Sequence, residues 1–366
     1  MVKVLCIMTT GLLRDGIVSS QLEYLKNIDF TDLQIDILSV KTPADGVKEE
    51  FEKLGCRVIQ FPNRIKEFFK YRQQLKKLIK KEKYNAVHVH GSSALMSIEL
   101  SVAKKLKVPM RIAHSRNTTC SYKKLDKILR GTFYKSYNVA LSCGKDAGEW
   151  LFGGREFSVL HNGKNLQKFA FNEEVRKKIR EEYGFEDKTV FGFVGHLNYQ
   201  KNVEFLVSVF NDYHRKNPNS ALVMMGEGGH RADIESLIKE YGIENDVILT
   251  GRIANVHEML NAMDVMLLPS RFEGLPNVVL EWQISGLPSL VSNTVTDECK
   301  TTSLVEFLPI DSGTGVWVDA IEKLNLSASR KDSSSDAVKR MKEEKFDIVD
   351  AAKYLRELYM SAEKGE

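Results

Sequence analysis

The chain has 366 residues, 43% of them apolar and 28% charged, with a formal net charge of +4. This length is too great for one ordinary hydrophobic core, so we expect a soluble protein of two domains with roughly 150–200 residues each. No run of about 18 apolar residues argues for a membrane span, and five scattered cysteines without Cys-x-x-Cys spacing argue against a disulfide framework or a zinc site. The first apolar stretch is too short for a signal peptide, so we expect a cytoplasmic protein.

Short apolar runs alternate with longer amphipathic segments, which is typical of parallel β-strands linked by α-helices. A polar segment at residues 161–188 separates two series of such runs, and we place the domain boundary within it. The helix predicted from residue 203 has Asn202 as its N-cap. Predicted strands are residues 2–9, 33–39, 57–60, 86–90, 110–114 and 138–142 in the first domain, and residues 189–194, 221–225, 247–249, 265–269 and 289–292 in the second.

Charge is distributed unevenly between the two parts of the chain. Residues 1–160 carry 28 Lys and Arg against 16 Asp and Glu, whereas residues 161–366 carry 25 against 33. The first part is therefore strongly basic and the second acidic, which suggests that each meets a different partner.

The segment from Arg64 to Lys83 contains nine basic and two acidic residues, with Phe68, Tyr71, Leu75 and Leu78 at helical spacing. The apolar stripe is typical of a surface helix packed on a sheet. Its basic outer face could rest on an anionic membrane, where each Lys or Arg contributes roughly 1 kcal/mol. Nucleic acid would attract the same face, but no zinc pattern, helix-turn-helix signal or RNP-like motif accompanies it, so we expect no nucleic-acid partner.

Residues 265–292 (VMLLPSRFEGLPNVVLEWQISGLPSLVS) carry the strongest functional signal. They predict a buried strand, a loop, and a helix with Asn277 as N-cap. Glu273 lies in the loop and Glu281 in the first helical turn, near the crevice where open α/β sheets bind ligands. The backbone N–H groups at this helix start would suit a pyrophosphate. The alternative is a pair of solvated surface carboxylates, the usual location of glutamate.

This stretch resembles the Glu-x7-Glu signature of retaining GT-B glycosyltransferases of family 4, in particular the exopolysaccharide and capsule enzymes. The resemblance implies that Glu273 binds hydroxyls of the donor sugar and that Glu281 binds the ribose of the nucleotide. It also places the intervening loop and helix start at the donor. These predicted donor-binding residues are Gly274, Leu275, Pro276, Asn277 and Val278.

Further segments resemble the same family in order and spacing. Within FGFVGHLNYQKNVEFL, residues 191–206, Lys201 matches a lysine that binds the donor phosphates, and His196 replaces the usual arginine. A histidine carries at most a fractional positive charge at neutral pH, so this substitution puts the second phosphate contact in doubt. The phrase VILTGRI resembles a strand end that recognises the base, which makes Arg252 and Ile253 candidates. LHNGKNLQKF resembles the interdomain phrase of the family, with Asn165 in place of an acid.

The first 160 residues resemble the family more weakly. Gly16 matches the glycine loop that closes over the donor, although Asp15 stands where a second glycine is usual. His114 ends a strand and matches a histidine that reaches the transferred sugar. The strand before it carries His88 and His90, which alternate and should face the same side. Two explanations fit His88 and His90 equally well: they could be buried core or loop residues, or they could take part in acceptor binding.

The resemblance implies an α/β protein of the GT-B fold, with two Rossmann-like parallel-sheet domains facing each other across a cleft. Residues 1–165 would form the acceptor-binding domain, residues 166–346 the nucleotide-sugar domain, and residues 347–366 a helix that packs back on the first domain. We expect Glu273, His114 and Lys201 to take part directly in sugar transfer. The nucleotide sugar is a substrate and is expected to carry UDP. No metal or other cofactor is expected, since the sequence lacks an Asp-x-Asp motif.

The expected reaction moves a hexose or N-acetylhexosamine to an acceptor hydroxyl with retention of configuration. The acceptor would be a saccharide or lipid-linked saccharide, and the enzyme would lie on the inner face of the plasma membrane. Two alternatives keep the fold: a sugar-nucleotide epimerase, and a non-catalytic subunit that binds a nucleotide sugar or glycan. The phrase around Glu273 and Glu281 argues against the first, and the intact Lys201, Glu273 and Glu281 argue against the second.

Overall fold

The computed structural model describes residues 1–362, which form two compact units. The first unit comprises residues 1–163 and the final segment from Lys345, and the second comprises Lys164–Glu344. Each unit is built on one parallel β-sheet with helices on both faces, the Rossmann-like architecture that the alternating sequence pattern predicts.

The first sheet has seven parallel strands in the order β3-β2-β1-β4-β5-β6-β7. Six of its strands match the sequence prediction to within two residues, because continuous apolar runs mark strands that are buried on both faces. The seventh, Ser158–Val159, was missed because it is two residues long and exposed. The strands are β1 (Val2–Met8), β2 (Leu33–Ser39), β3 (Arg57–Gln60), β4 (Ala86–Gly91), β5 (Met110–Ser115), β6 (Val139–Ser142) and β7 (Ser158–Val159).

Alternate residues of β1 contribute to separate cores on the two faces of this sheet, with Cys6 and Met8 in one and Leu5 and Ile7 in the other. The helices α1, α2 and α15 cover the first core, and α3 to α6 cover the second. These helices are α1 (Gly16–Asn27), α2 (Val47–Lys53), α3 (Phe68–Glu82), α4 (Ser97–Lys105), α5 (Lys123–Tyr134), α6 (Lys145–Phe152) and α15 (Ile348–Ser361), and a 3₁₀ turn precedes α4 (Ala94–Met96).

Helix α15 belongs to the first unit although it follows the whole second unit in sequence. It packs against α1 and β1, and Ile348, Leu355 and Tyr359 are at most 1% exposed. Helix α3 buries Tyr71, Leu75 and Ile79, one turn apart, and presents its lysines outward. The predicted apolar stripe is therefore present.

The second sheet has six parallel strands in the order β10-β9-β8-β11-β12-β13. The edge strand Val305–Leu308 was missed because only two of its four residues are fully buried, so no apolar run marks it. The strands are β8 (Thr189–Val194), β9 (Ser220–Met225), β10 (Val247–Gly251), β11 (Val265–Leu268), β12 (Ser289–Ser292) and β13 (Val305–Leu308).

Asn202 is the N-cap residue of helix α9, as predicted, but it has a left-handed backbone (φ 54°) and its side chain makes no cap hydrogen bond. The cap prediction at Asn277 is wrong. Helix α12 begins at Asn277 itself, so Pro276 occupies the N-cap position and Glu281 lies beyond the first turn. The helices are α7 (Leu166–Phe169), α8 (Glu173–Tyr183), α9 (Val203–His214), α10 (Arg231–Tyr241), α11 (Val256–Ala262), α12 (Asn277–Ile284), α13 (Thr314–Glu322) and α14 (Arg330–Glu343), with 3₁₀ turns at Tyr199–Lys201 and Asp297–Cys299.

Candidate active site

Each sheet has a topological switch point, where the strand order reverses and open α/β sheets bind ligands beyond the carboxyl ends of the strands. In the first sheet it lies between β1 and β4, and in the second between β8 and β11. The predicted residues follow these strand ends. Gly16 follows β1, His196 and Lys201 follow β8, and Glu273 follows β11.

Glu273 is held by three side chains of the second unit. The Nζ atom of Lys201 lies 2.6 Å from Oε1 of Glu273, and both side chains are at most 14% exposed. Ser270 donates a hydrogen bond of 2.8 Å to the same oxygen, and Gln200 donates one of 3.2 Å to Oε2. A carboxylate has about four lone-pair positions, so these contacts leave one on Oε2 for a ligand hydroxyl.

Glu281 has a different partner. Nζ of Lys164 lies 2.6 Å from its Oε1, and the two side chains are 12% and 15% exposed. Its Oε2 accepts no hydrogen bond from any other residue among 1–362. Because this oxygen can accept two hydrogen bonds, it suits a vicinal pair of hydroxyls such as those of a ribose.

The start of α12 follows directly on Glu273. Its first backbone N–H groups have no carbonyl one turn earlier within the helix to bind, which makes this end attractive to an anion. Oδ1 of Asn277 is buried and has no hydrogen-bond partner among the described residues. Of the other predicted loop residues, Gly274 is exposed, Pro276 is buried, and Leu275 and Val278 pack on the core.

His196 lies on an exposed loop that is fastened to the turn after β9. Leu197 donates its backbone N–H to Glu227 O at 3.1 Å, and Nδ1 of His196 lies 3.3 Å from that same oxygen. Only glycine fits at two positions of the turn, because a Cβ on Gly226 or Gly228 would lie 1.8 or 2.1 Å from a carbonyl oxygen of the loop. These glycines therefore position His196 by letting the two backbones meet.

The residues predicted to recognise the base follow β10. Arg252 is exposed, and Ile253 is half-buried against the core. Glu227 lies near the same strand end, where its Oε1 would contact a Cβ built on Gly251, and it pairs with Arg231 at 2.6 Å. The sequence prediction had named none of these neighbours.

In the first unit, Gly16 opens helix α1 and is exposed. Asp15, which departs from the family pattern, is the N-cap of this helix, because its Oδ1 accepts hydrogen bonds from the backbone N–H groups of Ile17 and Val18. The departure thus has a structural role in ordering the loop.

Three histidines of the first unit form a buried cluster. His88 and His90 face the same side of β4, as predicted, and their rings stack with centroids 4.0 Å apart. Nε2 of His88 lies 3.0 Å from Nδ1 of His114, and Nδ1 of His88 lies 2.6 Å from the hydroxyl of Tyr359. Nε2 of His114 is buried and has no partner within residues 1–362. His114, at 1% exposure, is thus part of a connected polar core.

Burial lowers the pKa of all three histidines well below the usual value, and the neighbouring guanidinium of Arg116 lowers each further. Arg116 is itself buried and lies beside His90, with its Nε 3.2 Å from Nδ1 of that ring. The imidazoles are therefore neutral at physiological pH, and each presents one nitrogen as donor and the other as acceptor.

Within the described part of the chain, two groups could offer three donor atoms to a metal ion: Cys6 with His88 and His90, and Glu204 with His230 and Asp233. In the first group, both nitrogens of His88 already have partners, and burial raises the pKa of the Cys6 thiol to about 12. The absence of a metal from the reaction remains a prediction.

The second unit thus brings together Lys201 with Glu273, and the donors Gln200 and Ser270 around them. Gly16 and His114 belong to the other unit. Sequence reasoning missed Lys164, the partner of Glu281, although it lies in the phrase LHNGKNLQKF that was singled out. It also missed Tyr359, for which the sequence carries no signal beyond its place in an amphipathic helix.

Two family models match the chain, one over each unit. The model described as glycosyl transferases group 1 matches residues 175–303, and the model described as glycosyl transferase 4-like matches residues 15–142. The first match contains Lys201, Glu273 and Glu281, and the second contains Gly16 and His114.

Known proteins agree with these matches along most of the chain. The chain is 27% identical over 329 residues to EpsF of Bacillus subtilis, which carries the name of a glycosyltransferase, covering 86% of this chain and 85% of that protein. It is 27% identical over 345 residues to the UDP-Gal:alpha-D-GlcNAc-diphosphoundecaprenol alpha-1,3-galactosyltransferase of Escherichia coli, covering 86% and 84%. The resemblance to the GT-B glycosyltransferases of family 4 is therefore confirmed.

A solved structure confirms the fold of this chain. The structure of Anabaena HepE in complex with UDP superposes with a TM-score of 0.80 at 15% sequence identity, covering 98% of this chain and 100% of that one. The GT-B fold predicted from the sequence is therefore confirmed. The matches to the family model and to the two relatives support the activity class, which is that of a glycosyltransferase.

Proposed function

We propose that the protein transfers a hexose or N-acetylhexosamine from a UDP-linked donor to an acceptor hydroxyl, with retention of anomeric configuration. The observation that carries this proposal is the pairing of Lys201 with Glu273 at the switch point of the second sheet. Glu273 would bind hydroxyls of the sugar through the free position on Oε2, and Glu281 would bind the ribose. The base would lie against Arg252 and Ile253.

Negative charge grows on the diphosphate as the sugar leaves, and three features would stabilise it. The ammonium of Lys201 has three donors, so it can keep Glu273 and also bind a phosphate oxygen. The N-terminus of α12 offers free N–H groups and the positive end of the helix dipole. The backbone at Gly16 supplies the third. His196 stands where the family has arginine, and because its Nδ1 faces the carbonyl oxygen of Glu227, only its Nε2 would be left for a contact with the donor.

Two comparisons support UDP as the nucleotide of the donor: the HepE structure was solved in complex with UDP, and the Escherichia coli relative is named for a UDP-Gal donor. That relative is named for a lipid-diphosphate acceptor, which supports a lipid-linked saccharide as acceptor here. We also propose a role in exopolysaccharide or capsule synthesis, as the family resemblance of the sequence implies. We propose that the reaction needs no metal, as the missing Asp-x-Asp motif predicts, and that excess chelator leaves the rate unchanged.

Thermal stability with UDP, GDP, ADP and TDP tests the donor site, on the native chain and on Glu281→Ala. A nucleotide at 100 times its dissociation constant stabilises the native state by about 2.7 kcal/mol. We expect this shift with UDP and its loss in the variant. If no nucleotide stabilises the native chain, the donor-site proposal is wrong.

Retention is tested separately by NMR of the first product formed from an α-linked UDP-sugar. An α-linkage in the product supports the proposal, and a β-linkage contradicts it. UDP binding without transfer to any lipid-linked saccharide, and without donor hydrolysis, would favour a non-catalytic binding subunit. Conversion of the UDP-sugar to its epimer would favour an epimerase.

We also propose that helix α3 rests on the anionic inner face of the plasma membrane. Lys76, Lys77, Lys80 and Lys81 are exposed on the outer side of this helix, and Phe69, at 86% exposure, projects from its first turn. An aromatic ring beside a basic face suits a lipid interface. No helix among residues 1–362 is long and apolar enough to cross a bilayer.

Flotation with vesicles containing phosphatidylserine tests this placement. Changing Lys76, Lys77, Lys80 and Lys81 to Glu should abolish flotation and leave UDP-induced stabilisation unchanged. The matched control changes four exposed lysines of other helices, Lys177, Lys178, Lys239 and Lys339, to Glu. If both variants still float, the surface of α3 does not bind the membrane.

A further inference from the structure

The buried histidine pair is connected to the C-terminal helix by a continuous series of hydrogen bonds. Tyr359 of α15 reaches Nδ1 of His88 on β4 at 2.6 Å, and Nε2 of His88 reaches Nδ1 of His114 on β5 at 3.0 Å. All three side chains are at most 1% exposed, so water does not compete for these contacts. The series ends at Nε2 of His114, a buried atom without a partner among the described residues.

Physical chemistry fixes the direction of this series. A phenol is a good donor, and an unprotonated imidazole nitrogen is a better acceptor than a phenolic oxygen or a thiol. The 2.6 Å contact therefore has Tyr359 donating to Nδ1 of His88, and the weaker 3.6 Å contact has the thiol of Cys6 pointing to Tyr359. Burial keeps both imidazoles neutral, so each ring carries a single proton.

The proton positions follow from that direction. With Nδ1 of His88 accepting, its proton lies on Nε2 and is donated to Nδ1 of His114. The proton of His114 then lies on its own Nε2. A buried N–H without a partner costs about 1–3 kcal/mol, so this atom is a natural place for a ligand oxygen.

We propose that Tyr359 and His88 are positioning residues that fix the tautomer of His114, so that His114 presents Nε2–H as a donor to a hydroxyl oxygen of the transferred sugar. The contact between His114 and the sugar rests on the proposed function. The tautomer of His114 follows from the hydrogen bonds alone. It makes the C-terminal helix a contributor to sugar transfer as well as to the core.

The first readout is the tautomer. In protein labelled with ¹⁵N-histidine, long-range proton–nitrogen NMR identifies the protonated nitrogen of each ring, with His88→Gln and His114→Gln used for assignment. We expect Nε2–H at both His88 and His114 in the native chain. Tyr359→Phe removes only the hydroxyl and should shift both rings toward a mixture of tautomers. Tyr354→Phe, an exposed tyrosine of the same helix, should leave them unchanged.

The second readout is transfer from a UDP-sugar. Tyr359→Phe should lower kcat/KM about tenfold, the usual effect of one hydrogen bond, with unchanged affinity for UDP alone. His88→Phe should lose at least as much. His88→Gln should recover most of the rate, because its amide N–H can still donate to Nδ1 of His114. If His88 had only a structural role, His88→Phe and His88→Gln variants with equal melting temperatures would transfer sugar at equal rates.

Any of three results would overturn the proposal. The first is a native His114 protonated at Nδ1, and the second is a Tyr359→Phe variant whose tautomers do not change. The third is a tautomer change in Tyr359→Phe with a transfer rate equal to that of Tyr354→Phe. If the native chain transfers no sugar at all, the proposed function fails, whereas the NMR readout still decides whether Tyr359 sets the tautomer.

Discussion

Glu273 and Glu281 in the second unit are each held by a lysine at 2.6 Å. His114 in the first unit is instead held by the neutral ring of His88, which is in turn bonded to the hydroxyl of Tyr359. The ion pairs are partly exposed, and the histidines are fully buried. A charged lysine can share its donors with an incoming anion, and a buried neutral network can only orient what it touches. The second unit is thus suited to bind charge, and the first to present an oriented neutral donor.

The largest effect should come from acid acting on the first unit. Burial and Arg116 hold the pKa values of His88, His90 and His114 well below the usual range. The unfolded chain binds protons at these residues below about pH 6.5 and the folded chain does not, so stability is complete above that pH and falls as the pH drops. Below that pH, each histidine lowers the free energy of unfolding by about 1.4 kcal/mol per pH unit. The three together lower it by about 4 kcal/mol per pH unit.

Hydrogen exchange measured from pH 8 to pH 5, corrected for the intrinsic rates, resolves this effect by unit. Peptides of β4 and β5 should lose protection before those of β8 and β9. In the second unit the pKa of His257 is also lowered, but its side chain is only partly buried, so a smaller slope is expected there. Burial also lowers the pKa of His161 in the first unit, so His114→Gln should reduce the slope of this unit by about a quarter, in proportion to the proton it removes. Equal slopes in the two units would contradict the comparison.

Removal of the charge at Lys201 is the next largest effect. Lys201→Met should lower kcat for sugar transfer by about 10²–10³-fold, as expected when one group that stabilises the leaving charge is lost. The matched control is Lys188→Met, which breaks the ion pair with Asp246 at 2.7 Å in the same unit. If the two variants transfer sugar at the same rate, Lys201 has no part in the reaction.

Lys164 should affect binding more than turnover. Lys164→Met leaves Glu281 without its positive partner, so the carboxylate is less firmly placed for the ribose hydroxyls. We expect UDP to bind about tenfold more weakly, or about 1.4 kcal/mol, by isothermal titration. Uridine keeps the ribose and lacks the phosphates, so its affinity should fall by a similar factor. A loss confined to UDP would instead make Lys164 a phosphate ligand.

The smallest effect concerns the helix cap beside Gly16. Asp15→Ala removes the acceptor for two backbone N–H groups and should destabilise the first unit by about 1 kcal/mol. Ser329→Ala removes the cap of α14 in the second unit, where Ser329 accepts from the backbone N–H of Asp332, and serves as the matched control. Urea unfolding of both variants measures the cost. If only Asp15→Ala also slows transfer, the order of the glycine loop matters to the reaction.

The strands and the separate site residues could be predicted because they depend on local sequence. Apolar runs mark buried strands, and the phrase around Glu273 and Glu281 resembles a known signature. The pairings could not be predicted, because they join distant positions. Lys164 is 117 residues from Glu281, and His88 is 271 residues from Tyr359. Only the folded chain shows which cation or hydroxyl holds each predicted group.

The N-cap prediction at Asn277 failed for a similar reason, because the fold outweighed a local preference. Asparagine is a common cap, and Asn277 stands at the right place by spacing. In the structure Pro276 takes the cap position, and the side chain of Asn277 is turned inward without a partner among the described residues. Local preference thus predicted a capping role for a residue that the fold places inside the first turn of the helix.

The return of α15 to the first unit also affects how the protein is made. On the ribosome, residues 1–163 emerge about 200 residues before Ile348 and Tyr359, which complete one of the two cores of their sheet. At typical rates of synthesis that core stays unfinished for on the order of 10–40 s, while the second unit has all its residues and can fold as it emerges. The nascent chain therefore presents an apolar face to chaperones throughout that interval, and a transcript cut short before α15 yields one finished unit and one that is not.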